Sequence, residues 1–345
     1  MMVSPRILWV CLMGHVCISL NTCALIKFNT SLKMRELLKE VGKQRIPHNT
    51  SGTVQLFQQI QKRSNLKGLN WSSFQPHHLF YYDDGSKVPA MSDGACHALF
   101  LSGLACENDG TIVEMGTWLG ASSRCLAAGL KIAGCSVDYK VLDRFQHSQL
   151  SKLAGTRYAH IKPHSVNMLD IWTETVTSIY PAQPIVVENL DNLKRTGLNL
   201  FWRRYRVQMF VIDSAKSVSS LRRQAHTVWE NLVSGSVLHL MDFIKTDQVA
   251  FVASLLIPFG YLKVLHVPFG TAAWVFSVEK ALPRSLFSEF LNRTHSCRYA
   301  ASGFEALFDA VHEQARLYCP DSRALKFMLN ALSFRKKGFL TNCRL

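Results

Sequence analysis

The sequence predicts an α/β protein with a Rossmann-like, doubly wound, mainly parallel sheet and a C-terminal antiparallel hairpin strand, flanked by N- and C-terminal helical extensions. Three observations predict it. From residue 111 onward, short apolar runs alternate with segments long enough to hold helices, the pattern of βαβ units. The first run leads into a glycine turn and then a small-residue helix, Gly116-Thr117-Trp118-Leu119-Gly120-Ala121-Ser122-Ser123. The last two runs are joined by only Val267-Pro268-Phe269-Gly270-Thr271, too short for a crossover helix, so they pair antiparallel.

Near the start, Arg6 precedes an apolar stretch, Ile7 to Leu20, without Asp, Glu, Lys or Arg, and small or polar residues mark its end: Ser19, Asn21, Thr22, Cys23 and Ala24. A charged start, an apolar centre and a small-residue exit are the parts of a secretory signal. The apolar centre is short for a spanning helix, which needs about 20 residues. Residues 1–24 therefore read as a signal peptide or signal-anchor. The front half of a bipartite organelle signal is left open, and any membrane contact would come through this segment.

Residues 25–91 read as a helical cap. Apolar residues recur at helical spacing over 32–45 and 53–63, and Pro76, Asp84-Gly85 and Pro89 mark loops over 64–90. A helix is predicted over 91–106, starting near Ser92. The strand candidates are Thr111 to Met115, Tyr139 to Leu142, Ile185 to Val187, Gln208 to Ile212, Ser236 to Leu240, Tyr261 to His266 and Ala272 to Val278. They place the sheet domain at 92–283. After Pro283 helices are predicted over 285–293, 303–318 and 322–334, then a basic tail, giving a C-terminal extension over 284–345.

Composition narrows the function classes. Hydrophobic residues make up 48% of the 345, which excludes a disordered chain. Lys and Arg number 39 against 24 Asp and Glu, a net charge of +15. The excess sits at the two ends, without a run of five basic residues, so solvated basic helices explain it better than a nucleic-acid interface. Of ten cysteines, Cys11, Cys17 and Cys23 lie in the signal segment. The other seven are an odd number, and spacing leaves their connectivity open, with Cys96/Cys106 and Cys297/Cys319 as candidate pairs. No CxxC pair occurs, so a zinc site is not expected. Glycosylation sequons stand at Asn29, Asn49, Asn70 and Asn292, as a secreted glycoprotein would carry.

The chemistry-bearing residues fall at predicted strand ends. Gly116 allows a tight turn and a close backbone approach, and Gly120 lets the helix start pack closely. Glu114 before the turn would repel a pyrophosphate. It suits a ligand amine or a hydrogen bond to the loop. Asp143 ends the second strand, where a doubly wound sheet holds ribose hydroxyls. His239 and His266 read as core or edge histidines. The cluster Arg203-Arg204-Tyr205-Arg206 precedes the fourth strand and suits either an anionic acceptor or a solvated loop.

Taken together, these segments resemble the class I S-adenosylmethionine-dependent methyltransferases over roughly residues 92–280. EMGTWLGASS resembles the first motif, LDRF the second-strand acid, VIDSAKS the fourth-strand motif and SGSVLHLMDF the fifth-strand motif, and the final strand pair matches the family's sixth and seventh strands. The nearest branch is the macrocin type of small-molecule O-methyltransferase. The resemblance implies that Gly116, Thr117, Trp118 and Gly120 cradle the methionine part of S-adenosylmethionine. Glu114 would anchor the loop or the amino group, Asp143 the ribose, and Asp191 the adenine. Asp213 would face the methyl group and the acceptor.

Many members of that branch use Mg²⁺, bound by an acid at the fourth strand end and acids in the fifth-strand pair. This sequence keeps Asp213 and Asp242 but has Ala215, Lys216 and Met241 where further acids or a base would stand. No metal is predicted; one, if present, would rest on Asp213 and Asp242. Lys216 suits a substrate or carboxylate contact better than a base, because its ordinary pKa is about 10.4. The resemblance implies direct methyl transfer to a glycan or small hydroxylated metabolite in the secretory pathway, with Asp213 and Lys216 as the catalytic candidates. The alternative is a catalytically silent binding protein on the same fold, which the departures at Ala215 and Met241 favour. Nucleic-acid methylation is disfavoured by the signal and by the absence of an N/D-P-P-Y/F motif. A homo-oligomer is left open.

Overall fold

The computed structural model describes residue 58 and residues 91–343 apart from 109, 118, 147–157, 159–167, 188, 191–205, 226–227, 284 and 319. The candidate signal at 1–24 and nearly all of the 25–91 segment lie outside the described residues. Ile46–Leu345 form one compact unit.

A single seven-stranded sheet organises it, in the order β3-β2-β1-β4-β5-β7-β6. The strands are β1 (Thr111–Met115), β2 (Asp138–Asp143), β3 (Gln183–Val186), β4 (Val207–Ile212), β5 (Leu232–Leu240), β6 (Leu262–His266) and β7 (Trp274–Val278). The first five run parallel, and β7 is antiparallel to both β5 and β6. All seven fall where the apolar runs predicted them, with ends shifted by up to four residues. The hairpin joins the sheet through β7, which inserts between β5 and β6.

Every residue of β1 and β4 is buried, so these central strands are near-continuous apolar runs, as a sheet covered on both faces requires. The edges are blunted. Pro184 lies in edge strand β3, and Lys263 is exposed on edge strand β6.

Helices α1 (Asp93–Leu104) and α2 (Ala121–Ala133) cross at glycines. A Cβ on Gly103 would lie 2.4 Å from the Leu126 carbonyl oxygen, and one on Gly129 would lie 2.3 Å from that of Phe100. Two disulfides flank the crossing, Cys96–Cys125 and Cys106–Cys135. A third, Cys297–Cys343, joins the C-terminal helices. The candidate pairs Cys96/Cys106 and Cys297/Cys319 are therefore corrected. Cys96, in α1, and Cys106, just past its end, each bond to a cysteine across the crossing, a juxtaposition that spacing alone does not encode. Cys319 lies outside the described residues.

Further helices are α3 (Met168–Thr177), α4 (Val218–Ala225), α5 (Gln248–Phe251), α6 (Leu286–Leu291), α7 (Arg293–Tyr318) and α8 (Ser322–Asn342). Helix α5 runs on into a π-helical turn, Val252–Leu256. Helix α7 lies so close to that turn that a Cβ on Gly303 would be 1.6 Å from the Ala253 carbonyl oxygen. Ala300, Phe304, Leu307 and Val311 of α7, with Met328 and Leu332 of α8, share one core with Trp274 and Phe276 of β7. The C-terminal extension is thus packed into the sheet domain's core. Its last helix continues to Asn342, past the expected basic tail, and the Asp321 side chain caps its start by accepting from Arg323 N and Ala324 N. No helix among the described residues is long and apolar enough to cross a membrane.

Candidate functional site

The carboxyl ends of β2, β1, β4 and β5 lie side by side. Met115 is in register with Leu142 on one side and Ile212 on the other, and Ile212 with Leu240. The strand order reverses between β1 and β4, and ligands of open α/β sheets bind beyond the carboxyl ends at such a point. Gly116, Asp143, Asp213 and Asp242 all stand there.

Gly116 has φ +82° and Gly120, the N-cap of α2, has φ +86°. Both are left-handed conformations that glycine accepts without strain. Their close approaches are to the protein itself. A Cβ on Gly116 would lie 2.6 Å from Ser214 Cβ, and one on Gly120 would lie 2.9 Å from Val176 Cγ2 and 3.0 Å from Trp172 Cδ1. The Asp213 and Ser214 amides donate to the Met115 carbonyl at 2.9 and 3.2 Å, which fixes the two loops against each other.

Glu114 is fully buried and accepts from the hydroxyls of Ser122, Ser123 (2.6 Å) and Tyr139. Burial pushes its pKa up to about 7, against the pull of the three hydroxyls. Glu114 thus ties the start of α2 to β1 and β2. Thr117 Oγ1 meets Ser123 Oγ at 2.5 Å, and Trp172 Nε1 donates to both oxygens at 3.1 Å. Sequence reasoning misses the serines, Tyr139 and Trp172 as site residues. Their only signal is the Ser-Ser pair opening a helix.

Asp143 draws the β1 loop onto β2. Its Oδ2 accepts from Thr117 N at 2.7 Å and its Oδ1 from Phe145 N at 2.8 Å. Phe145 takes φ +49°, rare for a non-glycine residue, and its ring meets Trp172 edge-on at 5.8 Å.

Beside β4 and β5 the chemistry is ionic. Lys216 Nζ donates to the Asp213 carbonyl at 2.5 Å, to Asp213 Oδ1 at 3.4 Å and to Asp242 Oδ2. Burial pushes the Asp213 pKa up to about 6, with Lys216 opposing and Asp242 assisting the shift. Burial lowers the Lys216 pKa, but Asp213 and Asp242 outweigh it and raise the value overall, so this side chain stays protonated. The intervening loop is held from below. Gln248 Nε2 donates to the Ala215 carbonyl at 2.6 Å, and Asp247 Oδ1 accepts from Val218 N at 3.1 Å.

Trp118 and Asp191 lie outside the described residues, as do Arg203, Arg204 and Tyr205. Arg206 stands at the opposite, amino end of β4 and pairs with Glu107 at 3.0 Å, so it does not face the site. His239 and His266 are buried, with pKa values lowered by burial to about 3 and about 4. His239 Nε2 meets Ser102 Oγ at 2.8 Å and His266 Nδ1 meets Gln314 at 3.3 Å.

The fold and this edge define a Rossmann-like α/β protein. No family model and no curated protein matches the chain. Among solved structures it is similar to E. coli tRNA N6-threonylcarbamoyladenosine dehydratase, TcdA, at 16% identity over 65% of this chain and 95% of that one, with a TM-score of 0.30. The same enzyme in complex with AMP gives the same identity and TM-score, over 70% of this chain and 95% of that one. Likeness at that level carries no functional argument.

Proposed function

We propose that the chain is an S-adenosylmethionine-dependent O-methyltransferase of the secretory pathway, acting on a glycan or small hydroxylated metabolite. One observation carries the reading. The glycine turn, Asp143 and Asp213 gather at the carboxyl edge around the β1/β4 reversal of a sheet whose antiparallel β7 sits between β5 and β6. That arrangement supports the resemblance of the four motifs. The three disulfides support an oxidising compartment.

When bound, S-adenosylmethionine supplies an electrophilic methyl group on a sulfonium. The backbone from Gly116 to Gly120 would hold its methionine part and Asp143 its ribose. Asp213 would orient the acceptor hydroxyl and take its proton. A pKa near 6 suits a base working close to neutral pH. Holding acceptor and methyl group in line supplies the rest.

Calorimetric titration of the secreted protein with S-adenosylmethionine and S-adenosylhomocysteine tests the reading, beside an Asp143→Ala variant checked for folding by circular dichroism. Micromolar binding weakened at least tenfold in the variant is expected. Absence of binding to the folded protein overturns the enzyme reading and favours the silent binding protein.

A further inference from the structure

We infer that Lys216 takes the place of a divalent cation between Asp213 and Asp242, so that Asp213 is held for an acceptor hydroxyl without a metal. The inference deepens the methyltransferase reading and rests on it for the identity of the acceptor. Its central claim, exclusion of metal, stands on geometry alone.

An ammonium has three N–H donors. Lys216 directs all of them at this pair: to the Asp213 carbonyl, to Asp213 Oδ1 and to Asp242 Oδ2. Its nitrogen therefore sits where an ion shared by the two carboxylates would sit. Lys245 Nζ approaches the other oxygen, Asp242 Oδ1, at 3.9 Å. Two carboxylates thus face two ammonium groups of the same chain, and the local charge is balanced. A dication entering without displacing Lys216 would leave this cluster with uncompensated positive charge.

The positions that would complete an oxygen shell point the same way. Mg²⁺ demands near-octahedral oxygen ligation. Ala215, 2% exposed, packs in the hydrophobic core, and Met241 is 6% exposed; neither side chain offers an oxygen to an ion. The Ala215 carbonyl already accepts from Gln248. The residues present do not fit a metal. With its donors committed, Lys216 acts as a positioning residue. It holds Asp213 Oδ1 and leaves Oδ2 for the acceptor.

The test reads metal rather than methyl transfer. Mn²⁺ is titrated into the full-length secreted protein and bound ion is counted by electron paramagnetic resonance. Wild type should take up no saturable Mn²⁺ up to about 1 mM. Lys216→Met should gain one site with a dissociation constant on the order of 10⁻⁴–10⁻³ M, the range of weak carboxylate sites. Lys216→Arg should stay metal-free, and adding Asp242→Asn to Lys216→Met should remove the gained site. Saturable Mn²⁺ binding by wild type at least as tight as by Lys216→Met overturns the inference. So does a folded Lys216→Met protein that gains no site. Failure to bind S-adenosylmethionine would sink the proposed function while leaving these metal outcomes unchanged, so the two failures are distinguishable.

Discussion

Two carboxylates beside β1 and β2 and two beside β4 and β5 line the same sheet edge, yet their surroundings differ in kind. Glu114 and Asp143 are met by hydroxyls and backbone amides, and the neighbouring helix pair is fastened by two disulfides and a glycine crossing. Asp213 and Asp242 are met by the ammonium of a lysine whose side chain is 55% exposed. The first pair is set by packing that salt and solvent barely reach. The second is set by charge, which both can screen. A rigid cofactor side and an adjustable acceptor side is the division of labour this suggests for the proposed enzyme.

The two sides touch at Gly116, and breaking that contact should have the largest effect. Gly116→Ala places a Cβ 2.6 Å from Ser214 Cβ and 2.7 Å from its nitrogen, at φ +82°. The left-handed conformation alone costs roughly 1–2 kcal/mol. With the backbone clash, a loss of about 3 kcal/mol or more is expected in urea unfolding with disulfides intact. Gly134→Ala is the matched control. It also has positive φ, at +65°, but nothing lies within 4 Å of its would-be Cβ, so it should lose only about 1 kcal/mol. Equal losses at the two positions would mean that the β1 and β4 loops are not packed as described.

Glu114 gives the next largest effect and separates the two sides by pH. Its folded pKa of about 7 lies above its ordinary value of 4.5, so between these pH values the folded state binds more protons than the unfolded one. Stability therefore falls as pH rises from about 4.5 through 7 and is level, for this group, outside that window. A shift of that size corresponds to on the order of 3 kcal/mol. Glu114→Gln should flatten that slope in urea unfolding measured from about pH 5 to about pH 8. Because Glu114 is wholly buried, the wild-type slope it contributes should survive about 1 M salt, whereas the part from the Asp213 side should change. A slope unaltered in Glu114→Gln would remove Glu114 as its source.

The sheet was legible because its strands are short apolar runs with glycine or acid at their ends, a signal that survives in one sequence. The hairpin was legible from the five residues between its strands. What joins distant segments was not. Cys96 and Cys125 are 29 residues apart, and only the glycine crossing of α1 and α2 makes them neighbours. At the site, Gly116, Asp143 and Asp213 were legible as loop and strand-end residues, but their partners were not. Tyr139 reads as the start of an apolar strand, and nothing local in the sequence marks Trp172. Gln248 and Asp247 lie beyond β5 and reach back to the Ala215 loop, a tertiary contact with no local motif. For Lys216 the sequence suggests a substrate or carboxylate contact, and the structure shows carboxylate contacts; that two carboxylates share it depends on the register of β4 with β5.

The smallest expected effect is the stability contribution of Lys216, and its smallness is what the contrast between the two sides requires. An ion pair with one partner 55% exposed and the other 27% exposed gains little from Coulomb attraction, because water and salt screen it and two side chains lose freedom. In a double-mutant cycle of Lys216→Met and Asp242→Asn, the coupling should be below about 1 kcal/mol at about 0.15 M salt and should shrink further at about 1 M. The same substitution should nevertheless move Asp213. Lys216 opposes the upward shift of that carboxyl, so without it the Asp213 pKa should rise above its present value of about 6. Carboxyl titration by NMR reads this directly, and a downward shift or no shift would mean that Lys216 does not govern Asp213. A group that barely stabilises the fold yet holds down the pKa of the residue that would face the proposed acceptor is tuned for the site rather than for folding.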